Sequence, residues 1–197
     1  MLKIGLTGNM GSGKTTVSKV FELLGIPVFY ADDAAKKVMV TDAVLMDEIK
    51  SAFGGLSYLE DGSLNRKYIA GIVFNNKAQL AKLNALVHPA TFRAFDVWVK
   101  RLSAVPYVLK EAALLFESDS YKMCDYTMMV QAPLEARVKR VMMRDGITRQ
   151  EVESRNAHQF PDEKKTALAD FVIKNDDSEL VIPQVLKLHA HISTLVH

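Results

Sequence analysis

One stretch limits what this chain can become: Gly8-Asn9-Met10-Gly11-Ser12-Gly13-Lys14-Thr15, a phosphate-binding loop of the form G-x-x-x-x-G-K-[ST]. Each fixed position has a physical reason. The glycines let the backbone turn sharply and approach a polyphosphate with no Cβ in the way. Successive N–H groups then point inward at phosphate oxygens. Lys14 brings a mobile ammonium to the β- and γ-phosphates, and Thr15 brings a hydroxyl ligand for Mg²⁺. The helix that follows turns its positive end toward the same anion. The flanks fit this reading. Lys3-Ile4-Gly5-Leu6-Thr7 reads as a short buried strand, and Val17, Val20, Phe21 and Leu24 lie on one face of a helix stopped by Gly25. A glycine-rich turn with a surface lysine would not need that order of strand, loop and helix.

The 197 residues suit one domain, or one core with inserted subdomains, and are enough to bury a substantial interior. A net charge of +2 argues against a dedicated nucleic-acid binder, although a local basic patch is compatible with it. Cys124 is the only cysteine, so no intrachain disulfide is expected and a reducing, cytoplasmic setting is. The N-terminal apolar stretch is too short for a signal peptide, and no apolar run approaches the roughly 20 residues of a membrane span.

Pro27-Val28-Phe29-Tyr30-Ala31 reads as a second strand, followed by Asp32-Asp33 and a helix over about residues 33–40. An acidic residue at the carboxyl end of such a strand sits where ligands bind in an α/β sheet. Asp32 is also a favoured helix cap, and both readings stand. Residues 42–104 show no second clear strand. They read as helices over about 44–53, 65–74, 78–87 and 89–102, with breaks at Gly54-Gly55 and Asp61-Gly62 and with Pro89 in a first turn. Phe92, Phe95, Val99 and Leu102 give the last of these an apolar face. This predicts an all-helical insertion suited to a substrate pocket. Within it, His88 is either a phosphate or base contact or a filler beside Pro89. Arg66, just past a turn, either holds an anion or is solvated. Trp98 reads as core.

Tyr107-Val108-Leu109-Lys110-Glu111 is the next strand, with Glu111 where phosphate-loop enzymes hold an acidic group near Mg²⁺ or its waters. Leu114-Leu115-Phe116 is expected to pack inward and to leave Glu117 for solvent or substrate. Residues 125–131 form another strand, and Pro133 opens a helix. There Leu134, Val138, Val141 and Met142 read as the buried face, and Arg137, Arg140 and Arg144 as a separate stripe. Asp145-Gly146 turns the chain, and Thr148-x-x-Glu151 is a capping box opening a helix that carries Arg155 and Gln159. This arginine-rich hairpin either closes over ATP, neutralising the transferring phosphoryl group and excluding water, or is a solvated basic face. Beside a phosphate loop the lid is favoured. Residues 171–174 read as the last strand and Asn175-Asp176-Asp177 as a turn and helix cap. The final helix buries Val181, Val185, Leu188, Ile192 and Leu195, with Pro183 in its first turn or bending it. His189 and His191 lie on different faces of that helix, with no acidic or cysteine partners nearby, and do not read as a metal site.

Strands alternating with helices after a phosphate loop predict a parallel sheet wrapped by helices, an α/β P-loop NTPase fold. A GTPase would add N-K-x-D and D-x-x-G motifs, and Asn76-Lys77-Ala78-Gln79 fails at its fourth position. A helical insertion and a late arginine-rich hairpin suit a small-molecule kinase. Such an enzyme places an acceptor oxygen in line with the γ-phosphorus and stabilises the charge.

With these residues assembled, the chain resembles the dephospho-CoA kinase family nearly end to end. The matching segments are Gly5 through Thr16, then Ala31-Asp32-x-x-Ala35-Lys36, Leu64-Asn65-Arg66, Val73-Phe74-Asn75, Leu83-Asn84 and His88-Pro89. They continue with Leu114-Leu115-Phe116-Glu117, Arg140-x-x-x-Arg144-Asp145, Arg155-x-x-x-Gln159, Lys164, Ala169-Asp170 and Asn175. Three positions depart from the family's pattern: Tyr30 for a frequent Asp, Ala113 for a common Pro and Arg137 for a common Gln.

The resemblance implies transfer of the ATP γ-phosphoryl group to the ribose 3′-hydroxyl of 3′-dephospho-CoA, giving CoA and ADP. It implies that Asp32 takes or orients the acceptor proton. Lys14 and the loop around Gly8, Gly11, Ser12, Gly13, Thr15 and Thr16 would hold the phosphates. Thr15 would ligate Mg²⁺, with Glu111 in the outer shell. Arg140 and Arg144, with Arg155, would act from the lid, Arg66, Phe74 and His88 on the acceptor side, and Asn175 near the base. The expected organisation is a single kinase domain over 1–197, with a core (about 1–31, 104–133 and 168–197), an acceptor-binding insertion (about 32–103) and a lid (about 134–167). ATP and 3′-dephospho-CoA are the expected partners, with no nucleic acid, membrane or obligatory protein. Two alternatives remain at this point: a kinase of the same fold acting on a nucleoside monophosphate or another small molecule, and an ATP-dependent switch or binding module.

Overall fold

In chain order the elements are β1 (Leu2–Thr7), α1 (Lys14–Leu23), β2 (Val28–Tyr30), α2 (Ala31–Thr41), α3 (Ala43–Phe53), α4 (Arg66–Val73), α5 (Lys77–Lys100), β3 (Tyr107–Glu111), β4 (Tyr126–Gln131), α6 (Leu134–Asp145), α7 (Arg149–Asn156), α8 (Asp162–Leu168), β5 (Phe171–Lys174) and α9 (Val181–Thr194). The structure is a computed structural model and describes residues 1–74 and 76–195; Asn75, named above, lies outside the described residues. The chain divides into two compact units, Met1–Tyr30 with Leu102–His197, and Ala31–Arg101.

The first unit is built on one parallel sheet in the order β2-β3-β1-β4-β5. Central β1 has Leu2 opposite Tyr107 on one side and Ile4 opposite Tyr126 on the other. Side chains alternate along a strand, so Ile4, Leu6, Tyr107, Leu109, Met128, Val130 and Ile173 reach one face together. They pack in a single core with Val17 and Phe21 of α1 and Val185 and Ile192 of α9. Phe21 meets Tyr107 edge to face, with ring centroids 6.4 Å apart. The Tyr107 hydroxyl is hydrogen-bonded to Nδ1 of His189 at 2.8 Å, and burial pushes its pKa up. His189 therefore ties the last helix to the sheet.

The second unit is helical. Val38, Leu45, Ile49, Phe53, Ile69, Val87 and Ala90 share its core with Tyr58. Side-chain caps start three of its helices: Asp42 accepts from the Leu45 N–H, Asn65 from Tyr68 and Asn76 from Gln79. Such caps satisfy backbone donors that the first turn leaves without partners.

Several expectations are corrected. Residues 78–87 and 89–102 are not two helices, because α5 runs unbroken through Pro89. A proline inside a helix removes one hydrogen bond and costs about 3 kcal/mol or more. Here its ring faces solvent, while Val87 and Ala90 on either side are held in the core, and that burial offsets the cost. Asp32 is not an N-cap; it lies within the first turn of α2, which begins at Ala31. On α6 the buried residues are Arg137, Val138 and Val141, whereas Leu134 is 44% and Met142 36% exposed. Leu114 is exposed, although Leu115 and Phe116 do pack inward. Asp176 and Asp177 do not cap α9, which begins after Leu180 with no side-chain cap.

Candidate active site

Gly8 leaves the end of β1, and the loop runs to Gly13, the residue before α1. Two glycines make the path possible. Gly11 has φ of 80°, and a Cβ there would lie 2.5 Å from the carbonyl oxygen of Arg137. Gly13 has φ of 99°, and its Cβ would strike the side-chain amide of Asn175. Gly13 supplies no side-chain cap to α1. The first-turn N–H groups at Lys14, Thr15 and Thr16 therefore lack an intrahelical acceptor and suit an anion.

A cleft of about 310 Å³ opens there, lined by Gly11, Gly13, Lys14, Thr15, Thr16, Arg140 and Arg144, with Val141 as its one apolar member. Lys14 Nζ lies 3.8 Å from Oε1 of Glu111, so the carboxylate at the end of β3 reaches the loop lysine. Arg140 donates to the carbonyls of Gly11 (3.4 Å) and Asn175 (3.3 Å), which sets its guanidinium beside the loop. Asn175 Nδ2 in turn donates to the Ser12 carbonyl at 2.8 Å. Arg144 is exposed and forked onto Asp145, with Nε to Oδ1 at 2.6 Å, and this holds the Asp145 carboxyl below the usual carboxylate range. Arg155 comes within 3.9 Å of the same carboxylate. The capping box at Thr148 and Glu151 is present as expected.

The structure thus brings Gly11, Gly13, Lys14, Thr15, Thr16, Arg140 and Arg144 to one cleft, with Ser12 and Asn175 tied to its rim. The residues expected on the acceptor side belong to the second unit. Asp32 is exposed, and its side chain makes no hydrogen bond or ion pair among the described residues. Arg66 opens α4, and Phe74 caps its far end 83% exposed. His88 sits within α5, stacked on Phe92 at 6.2 Å between centroids. Trp98, half-buried, stacks on the buried Phe95.

Two readings of charged residues fail. Arg137 does not join the arginine stripe facing the cleft. It is 3% exposed and ion-paired with Asp162 at 2.6 Å. Glu117 is not left for solvent or substrate; it accepts from Lys165 Nζ at 2.9 Å and from the Phe160 N–H at 2.7 Å. Burial pulls the Lys165 pKa down, opposed by the bond to Glu117. Asp162 and Lys165 escaped the sequence reading. Asp162 after Pro161 carries only a helix-start signal, and Lys165 beside Lys164 looks like a solvated pair.

A parallel sheet with a phosphate loop at the end of its central strand, facing arginines from a later helix, defines a P-loop phosphotransferase. The profile of the dephospho-CoA kinase family matches residues 2–180. A dephospho-CoA kinase from Bacteroides fragilis is 35% identical over 196 residues, spanning 100% of this chain and 95% of that protein. Among solved structures, one from Thermus thermophilus superposes with a TM-score of 0.82 at 36% identity, covering 100% of this chain and 98% of that one. The dephospho-CoA kinase from Campylobacter jejuni gives 0.69 at 27% identity, covering 98% and 97%. The chain belongs to the dephospho-CoA kinase family and is a transferase.

Proposed function

We propose that the cleft holds the polyphosphate of ATP for transfer of its γ-phosphoryl group to the ribose 3′-hydroxyl of 3′-dephospho-CoA, the reaction that completes CoA. The observation that carries the reading is the convergence of Lys14, the first-turn N–H groups of α1 and Arg140 on one 310 Å³ space. Positive groups fixed before the reaction need no reorganisation as charge moves onto the leaving phosphate. Lys14, whose charge is balanced by Glu111, follows the β- and γ-phosphates. Arg140 meets the charge of the transferring group. Arg144 joins by exchanging Asp145 for phosphate, which its exposed fork permits.

The donors near the loop fit Mg²⁺, a hard cation that keeps several waters and takes one or two protein oxygens. Thr15, exposed in the first turn of α1, offers a hydroxyl, and Glu111 offers a carboxylate toward the outer shell. The ion would supply positive charge that offsets the negative charge of the triphosphate. Asp32 takes the role of accepting or orienting the 3′-hydroxyl proton, with Arg66, Phe74 and His88 holding the acceptor and Asn175 near the base. The three functional parts remain the core, the helical acceptor-binding insertion and the lid, in which α6 and α7 close on the nucleotide. A reducing, cytoplasmic setting suits the single, half-buried Cys124. Among the described residues no helix is long and apolar enough to cross a membrane.

The test is ADP release from Mg-ATP with and without 3′-dephospho-CoA, beside AMP, CMP and shikimate. Strong stimulation by dephospho-CoA alone, with a new 3′-phosphate in the product, is expected. Stimulation by a rival acceptor instead would move the substrate assignment. Asp32→Asn should lower kcat by about 10²–10⁴-fold, the scale of a lost general base, and leave ATP affinity largely intact. Near-normal turnover in that variant would remove Asp32 from the chemistry.

A further inference from the structure

The tip of the phosphate loop is gripped from outside the cleft. The Met10 N–H donates to Oε1 of Gln159 at 2.9 Å, and the Met10 carbonyl accepts from Arg137 at 3.3 Å. Asn9 Nδ2 donates to the Phe160 carbonyl (3.0 Å) and to Oδ1 of Asp162 (2.8 Å). Arg137 completes the grip by donating to Asn156 Oδ1 at 2.9 Å and to Asp162 Oδ2 at 2.6 Å. Both peptide groups of Met10 and the Asn9 side chain are therefore held by α6 and by residues 156–162.

We propose that Gln159 is a positioning residue for the anion cradle. By taking the Met10 N–H, it fixes the peptide just before Gly11, the first loop residue that lines the cleft. The glutamine is itself anchored, because its Nε2 donates to the Ala113 carbonyl at 3.4 Å. That carbonyl also accepts from Lys165 Nζ at 2.8 Å, so the side chain spans from a fixed point beyond β3 to the loop tip. The next residue, Gly11, has no slack against the Arg137 backbone, as the 2.5 Å approach of a Cβ shows. A Met10 peptide released from Gln159 would rotate and shift Gly11, which lines the cleft, with it. Small displacements of such groups have large kinetic effects. The same bond makes the turn before α8 part of the loop's geometry, so the nucleotide site is coupled to the segment that follows α7.

This proposal rests on the cleft being the ATP site. Gln159→Met removes both polar ends at nearly constant length, in a half-buried side chain. ADP affinity is measured by calorimetry, turnover with 3′-dephospho-CoA by ADP release, and the Met10 amide by NMR hydrogen exchange. We expect ADP binding and kcat each to fall about tenfold, the scale of one lost hydrogen bond, with the KM for dephospho-CoA unchanged. The Met10 amide should exchange faster while the α6 amides stay protected. Gln159→Asn, which shortens the reach and keeps the amide, should move every readout in the same direction. A glutamine that only stabilises the fold would lower Tm and leave the ADP affinity and kcat of the folded enzyme unchanged, and that result overturns the proposal. If Gln159→Met does not fold, unchanged ADP affinity in Gln159→Asn overturns it equally. A wild-type protein that binds ADP and ignores dephospho-CoA would defeat the substrate reading, while the ADP comparison would still judge Gln159.

Discussion

The carbonyl of Ala113 accepts from Lys165 Nζ, Gln159 Nε2 and Thr7 Oγ1, three donors from distant parts of the chain. Its N–H makes no hydrogen bond among the described residues. The position works through its main-chain oxygen, which a proline would keep. Ala113→Pro should therefore fold, retain full kcat and gain about 0.4–1 kcal/mol by restricting the unfolded chain. Urea melts at matched pH check it, and a loss of stability would mean that the native φ excludes proline. Tyr30, another departure, hydrogen-bonds Glu22 at 3.1 Å; burial, with that carboxylate, pushes its pKa up to about 12. At this scale the sequence was partly legible. The spacing of the phosphate loop names its residues because bonding geometry dictates them. Lys164 and Lys165 are adjacent and identical in type, yet one lies over the Phe160 ring at 3.4 Å and the other is fully buried. The carboxylate of Glu117 and the carbonyl of Ala113, both far along the chain, separate their fates.

Among the elements, α3 depends on Asp42, which accepts from the Leu45 N–H at 3.1 Å and from Arg93 of α5 at 2.9 Å. The Leu45 bond first, then Arg93, holds its carboxyl below the ordinary range. A carboxylate with a depressed folded pKa contributes stability above its unfolded pKa of about 3.9 and loses it as pH falls through the folded value. Asp42→Ala should cost about 1 kcal/mol at pH 7, and the gap to wild type should shrink below about pH 4 as the carboxylate of the wild type is protonated. Urea melts across that range test the sign. Asp42→Asn, which keeps an acceptor for Leu45, should lose less. Strand positions and most helix spans were legible because buried apolar residues repeat with the right period. α5 was not, because the cost of Pro89 is local and visible, whereas the packing of α5 on α2, α3 and α4 that outweighs it is tertiary. On α6 the hydrophobic pattern misled, because the buried stripe includes an arginine neutralised by Asp162.

For the whole molecule, ligand linkage gives the broadest test. If the cleft is the nucleotide site, ADP at about 100 times its Kd should add about 2.7 kcal/mol of stability, which in a chain of this size raises Tm by roughly 5–10 °C. A thermal melt shows it, and Lys14→Ala should lose most of the shift. The parallel α/β class follows from alternating strands and helices, but the spatial order of the strands does not. Each buried strand reads alike, and nothing within β3 announces that it lies between β1 and β2. That order also sets a schedule for synthesis. β1 is made before the other strands of the sheet, yet both of its neighbours, β3 and β4, are made far later, with Tyr107 and Tyr126 as the first partners to arrive. Until then the glycine loop hangs from a strand with two open edges, and Asn175, which braces Ser12, is made later still. A nascent chain should therefore capture nucleotide only once Asn175 has been made, so that nucleotide binding reports an assembled sheet around the loop.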